Sequence, residues 1–215
     1  MSRSVVGGLI ALLVTALPMS ALADSLVGNG GVGFRGGMIK FYQDQTIQSD
    51  ARARLSGDLV FSYVYSDHFT LDATVGYAWN RLDDNQNFWL ATSVPVVAGI
   101  RYLTRYGQAM RPYIGAGGGM YVWSIQSKDL GAAKDPQTFE RLRRADLGFF
   151  GVVGVERTMS KHIVTTGDLL YHYILAKDTA DFPSGYNGNK SYAQVRLGVT
   201  FYFTLSERID TGLPE

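Results

Sequence analysis

Ser191-Tyr192-Ala193-Gln194-Val195-Arg196-Leu197-Gly198-Val199-Thr200-Phe201-Tyr202-Phe203 alternates without interruption. In an extended chain, successive Cβ atoms point to opposite sides. Ala193, Val195, Leu197, Val199, Phe201 and Phe203 therefore share one face, and Gln194, Arg196, Gly198, Thr200 and Tyr202 share the other. The first face suits hydrocarbon and the second carries a charge.

Working back from this segment, the same period recurs. Strands are expected at approximately Gly31 to Tyr42, Gly57 to Tyr65, Phe69 to Asn80, Ser93 to Thr104, Arg111 to Trp123, Asp146 to Arg157 and His162 to Leu175. Each is long enough for the roughly 9 to 11 residues of a tilted membrane strand. In Phe69 to Asn80 the apolar row is Phe69, Leu71, Ala73, Val75, Tyr77 and Trp79, with Asp72 in the opposing row. The connections are expected to alternate. Ser66 to His68, Arg105 to Met110 and Thr158 to Lys161 are short, whereas Gln43 to Ser56, Arg81 to Thr92, Ser124 to Ala145 and Ala176 to Lys190 are long and polar. Short turns on one side and long loops on the other are the habit of barrels in outer membranes.

The N-terminus reads as an address. Arg3 is basic, Val5 to Leu17 is almost continuously apolar, and Ala21-Leu22-Ala23 offers small residues to a signal peptidase. The apolar run falls short of the roughly 20 residues of a spanning helix. A cleaved signal peptide is expected over 1–23, a barrel over 24–203 and a short periplasmic tail over 204–215. The 215 residues suit one domain, and the absence of cysteine excludes disulfides and thiolate-ligated metals. A net charge of +1 gives no field for nucleic acid. The 25 glycines, 13 tyrosines and 11 phenylalanines fit β-structure near an interface.

A soluble barrel of the same strand count would turn its apolar rows inward. Here the polar rows hold Asp72, Arg101, Glu156, Asp168 and Arg196, too many charges for a greasy cup. The fold class expected is all-β, an eight-stranded antiparallel up-and-down transmembrane β-barrel.

Arg196-Leu197-Gly198-Val199-Thr200-Phe201-Tyr202-Phe203 resembles the assembly signal of outer-membrane barrels, in which a polar residue, a glycine, a hydrophobic residue and a final aromatic occupy fixed places. Arg196, Gly198, Phe201 and Phe203 fill them. Ser93 to Tyr102, followed by Arg111-Pro112-Tyr113-Ile114-Gly115-Ala116-Gly117-Gly118-Gly119, is similar to the central hairpin of the small barrels of the OmpA, OmpX and OmpW types and the opacity-like proteins. The resemblance implies a bacterial outer-membrane location, contact with membrane lipid and lipopolysaccharide, and handling by the barrel assembly machinery. It says little about function, because such barrels serve as structural components, adhesins, small-solute routes and, rarely, lipid-modifying enzymes.

With the polar rows inward, Arg35, Arg101, Arg111 and Arg196 face Asp72, Glu156 and Asp168. An unbulged register sets Asp72 opposite Arg101, Arg111 opposite Glu156, and Asp168 opposite Arg196. Buried charges need partners, so these residues are expected to form an ion-pair plug. A pore is the alternative, but eight strands leave an interior just wide enough for side chains.

No catalytic, cofactor-binding or metal-binding residues are expected. Of three histidines, His68 and His162 fall in turns, and His172 stands two pleats from Asp168, roughly 13 Å along one strand. The Gly28-Asn29-Gly30-Gly31-Val32-Gly33 match to a dinucleotide fingerprint precedes a strand instead of following one, so it is a decoy. Arg141, Arg143 and Arg144 form a basic cluster in the longest loop, suited to lipopolysaccharide phosphates or, equally, to a solvated mixed-charge loop with Glu140 and Asp146. Outward Tyr77, Trp79, Tyr171 and Tyr173 at one end and Phe69, Tyr102, Phe201 and Phe203 at the other are expected to form interfacial girdles. The role expected is structural or surface-interacting, through loops that meet lipopolysaccharide or a host or partner surface. The alternatives are a narrow channel or lateral route for small or hydrophobic solutes and, more weakly, a lipid A-modifying enzyme.

Overall fold

The computed structural model describes residues 26–42, 54–84, 87–104, 110–127, 131–132, 143–175 and 190–205. The leader over 1–23, the tail beyond 205 and most of the long connections lie outside the described residues.

Eight long strands make the wall: β1 (Asn29–Tyr42), β2 (Arg54–Val64), β3 (Phe69–Asp84), β4 (Asn87–Leu103), β5 (Met110–Ser127), β6 (Arg143–Thr158), β7 (Ile163–Ile174) and β8 (Lys190–Thr204). Each pairs antiparallel with its neighbours in the chain, and β1 pairs with β8 to close the sheet. The closing seam runs unbroken from Asn29↔Thr204 to Tyr42↔Ser191. Closure leaves no open edge, which is what a sheet requires where water cannot satisfy its backbone.

The eight strands lie where the alternation places them, with three differences. Arg81 to Thr92, expected as a long loop, is mostly ladder: β3 and β4 stay paired through Arg81↔Leu90, Leu82↔Trp89, Asp83↔Phe88 and Asp84↔Asn87. Its polarity suggested a loop, but backbone pairing can continue past the membrane whatever the side chains are. The alternation of short and long connections therefore breaks here. Second, β5 and β6 extend into the expected Ser124 to Ala145 loop, and Gly131–Ala132 adds two rungs beside Gln126 and Ser127. Third, β2 starts at Arg54, inside the expected first loop.

The wall is inside out relative to a soluble protein. Leu55 and Leu147 are 66% and 67% exposed, while Arg35 and Glu156 are 2% exposed. The apolar rows face outward to lipid and the charges face inward, which decides between the membrane barrel and the soluble one.

At the end carrying the short turns, Leu26, Val64, Val164 and Tyr202 pack into an apolar floor. Gly28, with φ +82°, turns the chain so that Leu26 tucks beneath the wall, and its N–H donates to the Val64 carbonyl at 2.8 Å. That φ is a left-handed conformation that glycine adopts without steric cost. Gly28 is thus the turn and Asn29 to Gly33 are the first residues of β1, with no helix behind them to cradle a phosphate.

Candidate functional site: the lumenal ion network

The inward rows bring together every residue expected in the interior. Arg111 pairs with Glu156, directly opposite it in the β5–β6 register. Glu156 accepts from Arg101 at 3.0 Å, and Arg101 reaches Asp72 at 2.6 Å. Asp72 pairs with Arg35 at 3.3 Å, and Arg35 reaches Asp168 at 3.5 Å. Asp168 pairs with Arg196 at 2.8 Å, and Arg196 ends on Asp58 at 3.0 Å. Four guanidiniums and four carboxylates thus alternate in one continuous chain that links strands on all sides of the barrel. The signs cancel, and each interior charge in the chain except the two at its ends is flanked by two of opposite sign.

One expected facing is corrected. Asp72 stands opposite Gly99, and Arg101 stands opposite Thr70. The ion pair forms on the diagonal, because arginine is long enough to span one pleat.

Neutral donors complete the carboxylates. The Ser62 hydroxyl donates to Asp72 at 2.7 Å and the Tyr113 hydroxyl to Asp168 at 2.9 Å. Gln194 donates to Asp58 at 2.9 Å and to Ser56 at 3.0 Å. The Arg101 guanidinium lies 4.9 Å from the centre of the Tyr113 ring. Buried ion pairs repay their desolvation only as far as the remaining lone pairs and protons are met; these contacts serve the carboxylates, whereas the Nε–H groups of Arg35 and Arg111 have no hydrogen-bond partner among the described residues.

Asp58 is the member the sequence reading passed over. Its signal was present: Leu59, Phe61 and Tyr63 are outward, so Asp58 had to face inward. It was missed because it stands one residue inside the start expected for β2.

Toward the opposite end, Tyr121, Tyr192, Ile39, Ala78, Val97 and Ile174 form an apolar box around His172. The Tyr121 hydroxyl lies 2.9 Å from His172 Nδ1, His172 Nε2 lies 3.3 Å from Gln194 Oε1, and the Tyr192 ring stacks at 4.3 Å. Because Gln194 spends its amide protons on Asp58 and Ser56, its oxygen accepts from His172 Nε2–H and Tyr121 donates to Nδ1. The imidazole is therefore held as a bridge between tyrosine and the ion network, and among the described residues neither a serine nor a carboxylate hydrogen-bonds to it. His172→Leu is expected to destabilise the barrel by about 1 to 3 kcal/mol, since two buried polar groups lose a partner; urea unfolding in lipid vesicles measures it. His68 and His162 bind backbone carbonyls of Leu103 and Tyr202 at 2.9 and 3.1 Å. Among the described residues, no cluster of His, Asp or Glu is arranged to hold a metal.

The proposed assembly residues divide by face. Arg196 and Gly198 turn inward, and a Cβ on Gly198 would lie 2.4 Å from Arg35 Cγ, so this glycine makes room for the arginine at the middle of the network. Phe201 and Phe203 face lipid, with Phe69 and Tyr102 at the same end and Tyr77, Tyr171 and Tyr173 at the other. Arg141 lies outside the described residues. Arg143 and Arg144 open strand β6, paired with Ser124 and Trp123, and so belong to the wall's rim instead of the loop in which they were expected.

The sequence pattern described as "Outer membrane protein beta-barrel domain" matches residues 9–203. The chain belongs to this family. It is a bacterial outer-membrane protein, and its strands are transmembrane. No curated protein sequence matches it. Among solved structures, Neisserial surface protein A superposes with a TM-score of 0.55 at 15% identity, covering 82% of this chain and 99% of that one. Ail, the attachment invasion locus protein of Yersinia pestis, in complex with the heparin analogue sucrose octasulfate, gives 0.50 at 13% identity over 82% and 99%. The outer membrane protein AlkL in lipid bilayers gives 0.50 at 15% over 91% and 99%. At these identities the likeness is one of fold.

Proposed function

We propose that this barrel acts at the cell surface, through its long extracellular connections, and that its lumen is a structural column. The observation that carries this reading is the continuous ion network. It fills the interior, and the space bordered by Arg35, Asp72, Arg101, His172, Phe150 and Val97 is a cavity of about 20 Å³, room for about one water molecule. Side chains joined this way give a solute no path.

The surface ligand that fits the chain's chemistry is an anionic saccharide. Arg141, Arg143 and Arg144 offer planar, bidentate donors to phosphate or sulfate oxygens. The fold-mate Ail, crystallised with a sulfated saccharide, sets a precedent on this architecture. Arg196, Gly198, Phe201 and Phe203 serve the assembly machinery as the end mark of the barrel.

Two measurements test the reading. In planar bilayers the mature protein is expected to show no steady conductance; robust, lasting open steps would overturn the column. Replacing Arg141, Arg143 and Arg144 by glutamine is expected to weaken lipopolysaccharide binding roughly tenfold, the loss of two or three charge-assisted contacts at an exposed site. Unchanged binding would remove these arginines from the surface role.

A further inference from the structure

The charges of the lumen are sorted by strand pair. Arg196 and Arg35 stand on β8 and β1, Asp58 and Asp72 on β2 and β3, Arg101 and Arg111 on β4 and β5, and Glu156 and Asp168 on β6 and β7. Each of these neighbouring pairs carries two charges of one sign, and the sign reverses at the next pair. No pair can neutralise itself, so every ion pair of the network joins strands from two different pairs.

Two places set like charges side by side. Arg35 faces Gly198 and Gly37 faces Arg196 across the β1–β8 seam, so the two arginines are diagonal neighbours on the inward face. Glu156 faces Thr166 and Gly154 faces Asp168, the same diagonal with the opposite sign. Long side chains on a diagonal are within reach of each other, and like charges there repel. β6 and β7 are tied by the short turn Met159 to His162, in which the Met159 N–H donates to the Ile163 carbonyl at 2.8 Å. β1 and β8 are the first and last strands of the wall and have no turn between them. The polar side chains that cross their seam each skip a strand: Arg196 on β8 reaches Asp58 on β2 at 3.0 Å, Arg35 on β1 reaches Asp168 on β7 at 3.5 Å, and Gln194 on β8 reaches Asp58 and Ser56 on β2 at 2.9 and 3.0 Å. A Cβ on Gly37 would run into the Val195 carbonyl oxygen and lie 2.9 Å from Arg196 Cα, so glycine at 37 lets the two backbones close up at the level of Arg196.

We propose that the β1–β8 seam is an electrostatic latch, in which Arg35 and Arg196 repel each other across the closing strands and are reconciled by the carboxylates of the strand pairs on either side. Asp58 draws Arg196 over β1 toward β2, and Asp168 draws Arg35 over β8 toward β7, so each arginine pins its own strand to the far side of the seam. Closure is therefore conditional, because the seam gains these staples only when β2 and β7 already stand in place. In hydrocarbon an open ladder leaves backbone groups unsatisfied, which favours closure at every seam alike. The side chains make the difference between seams. Without the two carboxylates the same arginines act as a wedge, and this ladder opens before its neighbours. The latch concerns closure of the wall, and it holds whatever the surface connections bind.

The test uses the mature full chain in phosphatidylcholine nanodiscs, with amide hydrogen exchange read strand by strand by mass spectrometry. The quantity is the ratio of exchange on β1 and β8 to exchange on β4 and β5. Asp58→Asn with Asp168→Asn keeps side-chain volume and removes both staples. The ratio is then expected to rise at least about tenfold, as stripping buried arginines of their partners implies. Glu156→Gln is the control, since it takes a carboxylate from Arg101 and Arg111 and leaves the contacts across the β1–β8 seam in place; the ratio there is expected to stay at the wild-type value or fall. The chain has no cysteine of its own, so a disulfide from Val32→Cys with Phe201→Cys, a lipid-facing rung of the seam, is expected to bring the ratio back in the double asparagine variant. Should that variant fail to assemble, it is assembled in the linked form and then reduced, and opening is followed from the moment of reduction. An unchanged ratio in the double asparagine variant, an equal rise in Glu156→Gln, or a raised ratio that survives the disulfide each overturns the latch.

Discussion

Arg35→Met is expected to destabilise the folded barrel by about 3 to 5 kcal/mol, the cost of removing one partner from a buried ion pair. Arg35 is the middle link of the network: it alone joins Asp72, held by Arg101, to Asp168, held by Arg196. Methionine fills similar volume, so the loss is electrostatic and not a cavity. Urea unfolding in lipid vesicles, followed by tryptophan fluorescence, reads it directly, and a loss below about 1 kcal/mol would show that the network adds nothing that water could not supply.

The same connectivity predicts the outcome of a charge exchange. For an isolated pair, Asp168→Arg together with Arg196→Asp would be nearly neutral. Here the new arginine at 168 would face Arg35 and the new aspartate at 196 would face Asp58, so two repulsions replace two attractions. The exchange is expected to be at least as damaging as Arg35→Met, with strongly non-additive energies. Recovery of wild-type stability would mean that the pairs are independent.

The second large effect concerns packing. A Cβ on Gly117 would lie 2.2 Å from the Ala98 carbonyl oxygen, 2.6 Å from Gly99 Cα and 2.6 Å from the Phe150 ring. Two of these are backbone atoms of the adjacent strand, which cannot retreat without breaking the β4–β5 ladder. Phe150 uses the hollow that Gly99 and Gly117 leave, so the glycines and the ring are one packing unit. Gly117→Ala is expected to cost about 1 to 3 kcal/mol or more, seen as loss of the heat-modifiable form. Gly151→Ala, on the neighbouring strand, is the contrast: a Cβ there meets nothing within 4 Å and points to lipid. It is expected to change stability by less than about 0.5 kcal/mol. Equal effects at the two positions would refute the packing account.

Much of this was legible in the residues. The apolar row Ala193 to Phe203 against Gln194 to Tyr202 determined strand, face and membrane side at once, because a period of two leaves only two ways to face and lipid selects one. The same rule named seven of the eight charged network members and should have named Asp58. It failed at Arg81 to Thr92, where polar side chains were taken for a loop although the ladder depends on the backbone.

The amino-acid sequence by itself thus determined the wall: eight strands, their faces, and a charged interior of nearly balanced sign. Only the tertiary structure decided which charges meet. Arg101 reaches Asp72 across a diagonal and Arg35 joins carboxylates on two distant strands, and these contacts depend on shear, curvature and the room that Gly198 leaves beside Arg35. Alternation says which way a residue points, but two residues on different strands become a site only when closure fixes their relative height.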